Sequence, residues 1–547
     1  MVARLPRFMM PTLAISYLLS VVHEPILSPH TAHVLAPLIW CAAGLYVFAV
    51  GALALYGLHN LGLLGLFLRH RKAAAAQAAR EDQTPLPPDQ ALPHVLIQLP
   101  VFNERDVLNR LLDSVSRLEW PRDRLHIQLL DDSTDDSVHM GRLAVHRLRE
   151  QGVDVVHLHR TDRTGFKAGA LEHGLAQNDA PFVAIFDADF VPNPDFLKRA
   201  IKPLLADPGL ALVQGRWEHL NRNDNMLTKA QAVGIDGHFA VEQGARAWSG
   251  LPMNFNGTCG LWRRAAIIDA GGWEHDTLTE DMDISYRAQL VGWRCTYRLG
   301  LGVPGEIPAD VNAWRSQQFR WAKGSIQTAI KLLPRIWSSA WDLRRKLSAT
   351  LHMTHYLVHP FILLSLFAAP LAMLLLDQGL IPMWVLVLGL GSFLVGAMSP
   401  VLVYIVSQVV LHGRSGLRNL LALPVLAAIG TGIAISNASA VWQAIRGKQS
   451  AFVRTPKAGN AGTSSYRAHA HSGVPEALCA LWAFVGITIG YIGSHTWITP
   501  FLVIYLSGFG WMSWHCIIER RARTRRLAIS TAQPVQIVQD SSGAQPA

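Results

Sequence analysis

Apolar residues crowd roughly the first 70 and the last 200 positions of this chain, and acidic residues crowd the stretch from Glu81 to Glu306. A membrane-spanning helix needs about 20 mostly apolar residues. Val34–Leu68 exceeds that and ends on the basic run Arg69-His-Arg-Lys72, which puts that end on the cytosolic side. Tyr356–Leu376, Leu380–Leu411, Val474–Ser494 and Trp497–Ile517 read as four further spans. Phe8–Ile26, interrupted by His23 and Glu24, reads as an uncleaved first span. A signal peptide starting at Arg4 and Arg7 is the alternative, but no small-x-small cleavage site follows. Leu420–Ile445 is apolar but lies between two basic loops, His412–Arg418 and Arg446–Lys457, that both belong in the cytosol. One simple span cannot satisfy both, and Pro424, Gly430 and Gly432 break the stretch. A re-entrant hairpin or interfacial helix is expected there, an ordinary span being the alternative. After Ile517 the chain turns polar and Gln/Ser-rich, and disorder is expected.

The middle of the chain has a different rhythm. Short apolar runs at His94–Leu99, Leu125–Leu130, Val153–His159, Phe182–Phe186 and Ala211–Gln214 alternate with helical patterns at Arg105–Leu118, Ser137–Gln151, Lys167–Gln177 and Asp195–Leu205. Such alternation predicts a mostly parallel sheet covered on both faces. Its ligands would bind beyond the carboxyl ends of the strands.

Composition narrows the class. Of 547 residues, 50% are hydrophobic and only 16% charged, against about 25% charged in a soluble domain. A wholly soluble chain and a disordered one are both disfavoured. The net charge of +10 does not point to nucleic acid, because the dense basic runs, including Arg520–Arg526, each follow an apolar segment. The five cysteines include no CxxC pair, so neither a disulfide framework nor a cysteine zinc site is indicated.

Neither GxGxxG nor GxxxxGK[ST] occurs, which removes the dinucleotide fingerprint and the P-loop. Carboxylates remain. Asp187-Ala-Asp189 follows the apolar Phe182–Phe186, so two carboxylates at a strand end can share a hard cation, Mg²⁺ or Mn²⁺; a solvated turn is the plainer reading. Thr279-Glu-Asp281 offers a general base at Asp281. Equally, it reads as a helix start with Thr279 as cap and the acids facing the dipole. Gln317-Gln-Phe-Arg-Trp321 lies just before the C-terminal apolar half. Its Trp321 is an interfacial anchor or a sugar-stacking face beside a phosphate-binding Arg320.

Taken in order, Asp131-Asp132, Asp187-Ala-Asp189, Thr279-Glu-Asp281 and Gln317-x-x-Arg-Trp321 resemble the D, DxD, TED, QxxRW series of processive family-2 glycosyltransferases, the group of cellulose, hyaluronan and chitin synthases. Leu118-Glu-Trp-Pro-Arg-Asp-Arg-Leu125, Gly165-Phe-Lys-Ala-Gly-Ala-Leu171 and Phe255-Asn-Gly-Thr258 look most like the plant cellulose-synthase-like A glucomannan synthases and their bacterial relatives. The resemblance runs from about Pro93 to Ser325. It implies an α/β GT-A domain, Rossmann-like, beside an α-helical transmembrane region, and a nucleotide-diphospho-sugar donor. Asp131, helped by Asn103 and Glu104, would hold the nucleotide. Lys167, Gln317 and Arg320 would meet the diphosphate, and Asp187 and Asp189 the cation. Asp281 would be the base, with Trp321 and Glu280 toward the acceptor. Phe452-Val-Arg-Thr-Pro-Lys457 is similar to the gating loop of bacterial cellulose synthase, placing Thr455 and Lys457 on the diphosphate. Two departures stand out: Phe190 occupies a place where several relatives have His, and no PilZ-like regulatory domain is expected after the last span.

The resulting plan is a transmembrane start (1–72), a cytosolic linker (73–92), a GT-A domain (93–316), interfacial helices (317–350), a transmembrane region (351–517) with a gating-like loop (446–473), and a tail (518–547). The expected activity is inverting hexosyl transfer to a β-linked polysaccharide, with UDP-glucose ahead of GDP-mannose as donor, at a bacterial inner membrane with the catalytic domain cytosolic. A glycolipid synthase acting on diacylglycerol or ceramide is one alternative, and an inactive channel or scaffold subunit another. Expected partners are the donor, the polysaccharide or lipid acceptor, membrane lipids and a periplasmic or export subunit, with no nucleic acid.

Overall fold

The five central apolar runs and two further segments form seven strands among the described residues: β1 (Val95–Val101), β2 (Leu125–Asp131), β3 (Val155–His159), β4 (Phe182–Ile185), β5 (Leu210–His219), β6 (Gly260–Arg263) and β7 (Arg294–Gly305). They make one sheet in the order β3-β2-β1-β4-β6-β5-β7. The computed structural model describes residues 29–377, 379–450, 472–493, 495–496 and 498–532. β1 pairs in parallel with β2 and β4, β2 with β3, and β5 with β7, while β6 runs antiparallel between β4 and β5. Both faces are covered, which is why β1 and β4 are buried along their whole length and read as continuous rather than alternating apolar runs. Ile97 and Leu129 sit in a core with Leu111 and Phe186. Their immediate neighbours, Leu96 and Leu130, turn to the other face with Leu171 and Trp262. β5 outruns the expected Ala211–Gln214 by reaching His219, and β6 and β7 fall where no strand was expected.

The helix Val311–Ser338 leads from the sheet to the apolar half. Among the described residues, five stretches are long and apolar enough to cross a membrane: Ala36–Gln83, His355–Leu376, Met383–Gly432, Val474–Ile492 and Thr499–Arg521. The protein is an integral membrane protein. Its first described helix, Pro29–Gln83, has 55 residues, about 80 Å of helix against a hydrocarbon core of about 30 Å. Its end therefore reaches the sheet domain, where Arg298 of β7 pairs with both Glu81 and Asp82 and Lys202 donates to the Asp82 carbonyl at 2.6 Å. Residues 73–83, expected as linker, are helix because this docking holds them.

Leu420–Ile445 is built from the end of a 3-10 turn and two helices, Leu423–Gly432 and Ala434–Ile445, of 10 and 12 residues. At 1.5 Å per residue each covers only about 15–18 Å. The last helix, Thr499–Ala532, continues well past Ile517, so residues 518–532 are helical where disorder was expected. Phe8–Ile26, the gating-like Phe452–Lys457 and residues 533–547 lie outside the described residues.

Candidate active site

The carboxyl ends of β1 and β4 open into a cleft, walled on another side by Val311–Ser338. Its wall includes Glu104, Lys167, Asp187, Asp189, Glu280, Asp281, Gln317, Arg320 and Trp321. Nine of the sequence candidates thus meet in one place, from segments more than two hundred residues apart.

Each is placed by local structure. β4 is the buried centre of the sheet, so Asp187 emerges just past its end; its backbone N–H donates to Thr258 Oγ1 at 2.9 Å, and Phe190 N–H closes the turn onto the Asp187 carbonyl at 3.0 Å. Asp189 is buried beside it. Lys167, in the first turn of the helix Phe166–Leu175, donates to Asp187 Oδ1 at 2.6 Å and to the Gly257 carbonyl at 2.8 Å, with Glu280 at 3.8 Å. Burial disfavours its charge, but Asp187 and Glu280 outweigh burial and raise its pKa above the ordinary lysine range.

Thr279 sits at the start of the helix Glu280–Leu290, yet makes no side-chain cap. Its hydroxyl is 3.0 Å from Thr328 Oγ1 on Val311–Ser338, a contact that replaces the expected cap. Asp281 Oδ1 instead accepts from the Met282 N–H at 2.8 Å. Burial, then the charge of Glu280, push the Asp281 carboxyl up to about 7. Gly257 shapes the space between base and lysine: at φ +80°, a Cβ there would lie 3.1 Å from Asp281 Oδ2 and 3.3 Å from Lys167 Nζ. Arg320 is half-buried in the same wall, and desolvation lowers its pKa from the ordinary arginine value.

Two candidates sit elsewhere. Asp131 is fully buried below the cleft: Oδ2 is 2.8 Å from His157 Nε2, and Oδ1 accepts from Ser133 N–H at 2.8 Å. Burial opposes its ionisation, but these bonds hold its carboxyl below the ordinary range. Its neighbour Asp132 reaches the cleft instead, gripped by Arg160 through two bonds of 2.8 and 2.7 Å. Asn103 clamps loop to loop, accepting from Thr134 N–H at 2.8 Å while its own N–H donates to Ser133 Oγ at 2.8 Å. Thr455 and Lys457 lie outside the described residues. Sequence reasoning missed Arg163, whose guanidinium lies 3.4 Å over the Phe102 ring at the cleft mouth, and Trp217. The β5 pattern was cut short at Gln214, three positions before that tryptophan.

A second acidic group, Glu274, Asp276 and Asp283, is neutralised by Lys331 at 2.5, 2.7 and 3.0 Å and by Arg287. It is a structural knot.

Residues 93–324 match the family described as Glycosyltransferase like family 2. Glucomannan 4-beta-mannosyltransferase 2 of Arabidopsis thaliana is 44% identical over 248 residues, 45% of this chain and 46% of that protein. Glucomannan 4-beta-mannosyltransferase 1 of Oryza sativa subsp. japonica is 42% identical over 262 residues, 46% of this chain and 50% of that protein. The match spans about half the length of these relatives. Among solved structures, mannosyltransferase PcManGT from Pyrobaculum calidifontis, in complex with GDP-Man and Mn2+, is similar at TM-score 0.41 and 20% identity, over 72% of this chain and 100% of that one. A likeness that slight says nothing of substrate or metal.

Proposed function

We propose that this protein, whose residues 93–324 match glycosyltransferase family 2, is a membrane-embedded, inverting glycosyltransferase of GT-A fold that extends a β-linked polysaccharide. The observation that carries the reading is the meeting of two cations, Lys167 and Arg320, with the carboxylates of Asp187, Asp189, Glu280 and Asp281 in one cleft.

An acceptor hydroxyl attacks the anomeric carbon of the donor. The new glycosidic bond forms as the bond to the nucleoside diphosphate breaks, and Asp281 takes the hydroxyl proton. One base and no separate nucleophile give inversion, so an α-linked donor yields a β-linked product. Lys167 and Arg320 offset the negative charge gathering on the departing diphosphate. Asp187 and Asp189 suit a hard divalent cation, Mg²⁺ or Mn²⁺, and the Lys167 ammonium at 2.6 Å from Asp187 marks where positive charge is already accepted. When bound, such a cation would neutralise diphosphate charge.

The sequence expectation of UDP-glucose gives way here to a mannosyl donor, GDP-mannose. The relatives at 42–44% identity are named mannosyltransferases, and that outweighs a gating-loop likeness of six residues. In this reading the membrane is a bacterial inner membrane, the catalytic domain lies on the cytosolic side that the basic loops favour, and the product leaves through the apolar half. A donor panel assayed for nucleotide release tests the donor, and GDP-mannose is expected to give the fastest release. Membranes supplied with radiolabelled donor test the product. Polymer should stay at the chromatographic origin; a solvent-extractable glycolipid as sole product would overturn the reading.

A further inference from the structure

Trp217 has no role in the chemistry above, yet it lines the cleft beside Trp321. The two rings lie 6.4 Å apart, inclined at 53°. Phe239 stacks on Trp217 at 5.0 Å and 29°, and Phe190, itself part of the cleft wall, packs against it at 5.2 Å and 58°. Phe239 comes from a π-helical turn, His238–Gln243, inside an otherwise α-helical stretch; such turns gather at functional sites. Phe190 is the residue where several relatives place His, and here it is buried as a buttress. The two rings together fix the indole in orientation.

Its Nε1–H is buried and has no hydrogen-bond partner among the described residues. A buried indole N–H normally finds one, and an unmet donor in a native fold calls for a reason. This one sits in the wall of a substrate cleft, so a bound substrate can supply the missing acceptor. A hexose offers what this wall lacks: axial C–H groups for the electron-rich ring face, and hydroxyls at the ring edge.

We infer that Trp217 forms, with Trp321, an angled two-indole wall that binds the terminal sugar of the acceptor, Trp217 stacking on the ring and donating Nε1–H to a hydroxyl. The inference rests on the glycosyltransferase reading above. Two planes at an angle hold a ring in one orientation where a single platform lets it turn, so Trp217 helps decide which hydroxyl faces Asp281.

The test uses the full chain in detergent, with GDP-mannose as donor and a β-1,4-linked manno-oligosaccharide as acceptor. Trp217→Phe keeps a ring and loses the N–H, and should raise the acceptor KM by about 3–10-fold, the worth of one hydrogen bond. Trp217→Leu loses both and should raise it by about 30-fold or more. In both variants the donor KM and the acceptor-independent release of nucleoside diphosphate should stay within about twofold of the wild type, which a merely structural role would not produce. An acceptor KM within about twofold of the wild type in Trp217→Phe overturns the inference, as does a parallel loss in donor and acceptor terms. Wild-type protein that releases nucleotide from no donor overturns the glycosyltransferase reading itself. Trp217→Phe conserves the packing, so the test survives a leucine variant that fails to fold.

Discussion

At the scale of single residues, the site works through charge held out of water. Asp281 can accept a proton only when ionised, and burial with Glu280 has pushed it up to about 7. As pH falls below that value the base is increasingly protonated, so kcat/KM should drop by about tenfold per unit on the acid side. Glu280→Gln removes the neighbouring negative charge and should move this limb to lower pH, read from the pH–rate profile. Asp281→Asn should cost about 10²–10⁴-fold in transfer while nucleotide binding, measured by calorimetry, stays near wild type. Gly257→Ala puts a Cβ at φ +80° between base and lysine. It should cut kcat by at least about tenfold, with a stability loss of only about 1–2 kcal/mol, separable by comparing turnover with thermal melting. The carboxylates themselves were legible in the sequence, because DxD after a buried run and TED before a helix are local patterns. That Asp132 and not Asp131 lines the cleft was not legible. Which of two adjacent aspartates faces outward depends on His157, a residue of the neighbouring strand.

At the scale of elements, the helix Val311–Ser338 binds the site together. It brings Gln317, Arg320 and Trp321 to the cleft and presses against the TED loop, where Gly324 leaves no room: a Cβ would meet Thr279 Cγ2 at 2.6 Å and the Leu278 carbonyl carbon at 2.9 Å. Gly324→Ala should therefore push the helix off the loop. The expected cost is about 1–3 kcal/mol with a disproportionate fall in activity, checked by melting and turnover on the same preparation. The parallel strands could be anticipated because burial on both faces leaves unbroken apolar runs. β6 could not, since its four residues Gly260–Arg263 are too few for a period and owe their strand form to β4 and β5 on either side. β7 hid behind Gly302 and Pro304, which look like turn residues but sit in a strand paired with β5.

At the scale of the whole molecule, the question is how the sheet domain is held against the apolar half of the chain. The long first helix answers part of it. Arg298, nearly buried, grips Glu81 and Asp82 at that helix's end. Arg298→Ala leaves two partly buried carboxylates without this cation and should destabilise the detergent-solubilised protein by about 1–3 kcal/mol, seen as a lower melting temperature.

The sequence by itself determined the division into apolar ends and a watery middle, the mostly parallel sheet, and the identity of most chemical groups. All of these follow from local composition and from periods of a few residues. Only the tertiary structure decided which groups meet: that Asp131 withdraws under the cleft, that the helix runs on past Ile517, and that Phe190 and Phe239 brace Trp217 against it. Those outcomes depend on contacts between segments far apart in the chain, and a burial pattern read along one segment carries no record of its partner.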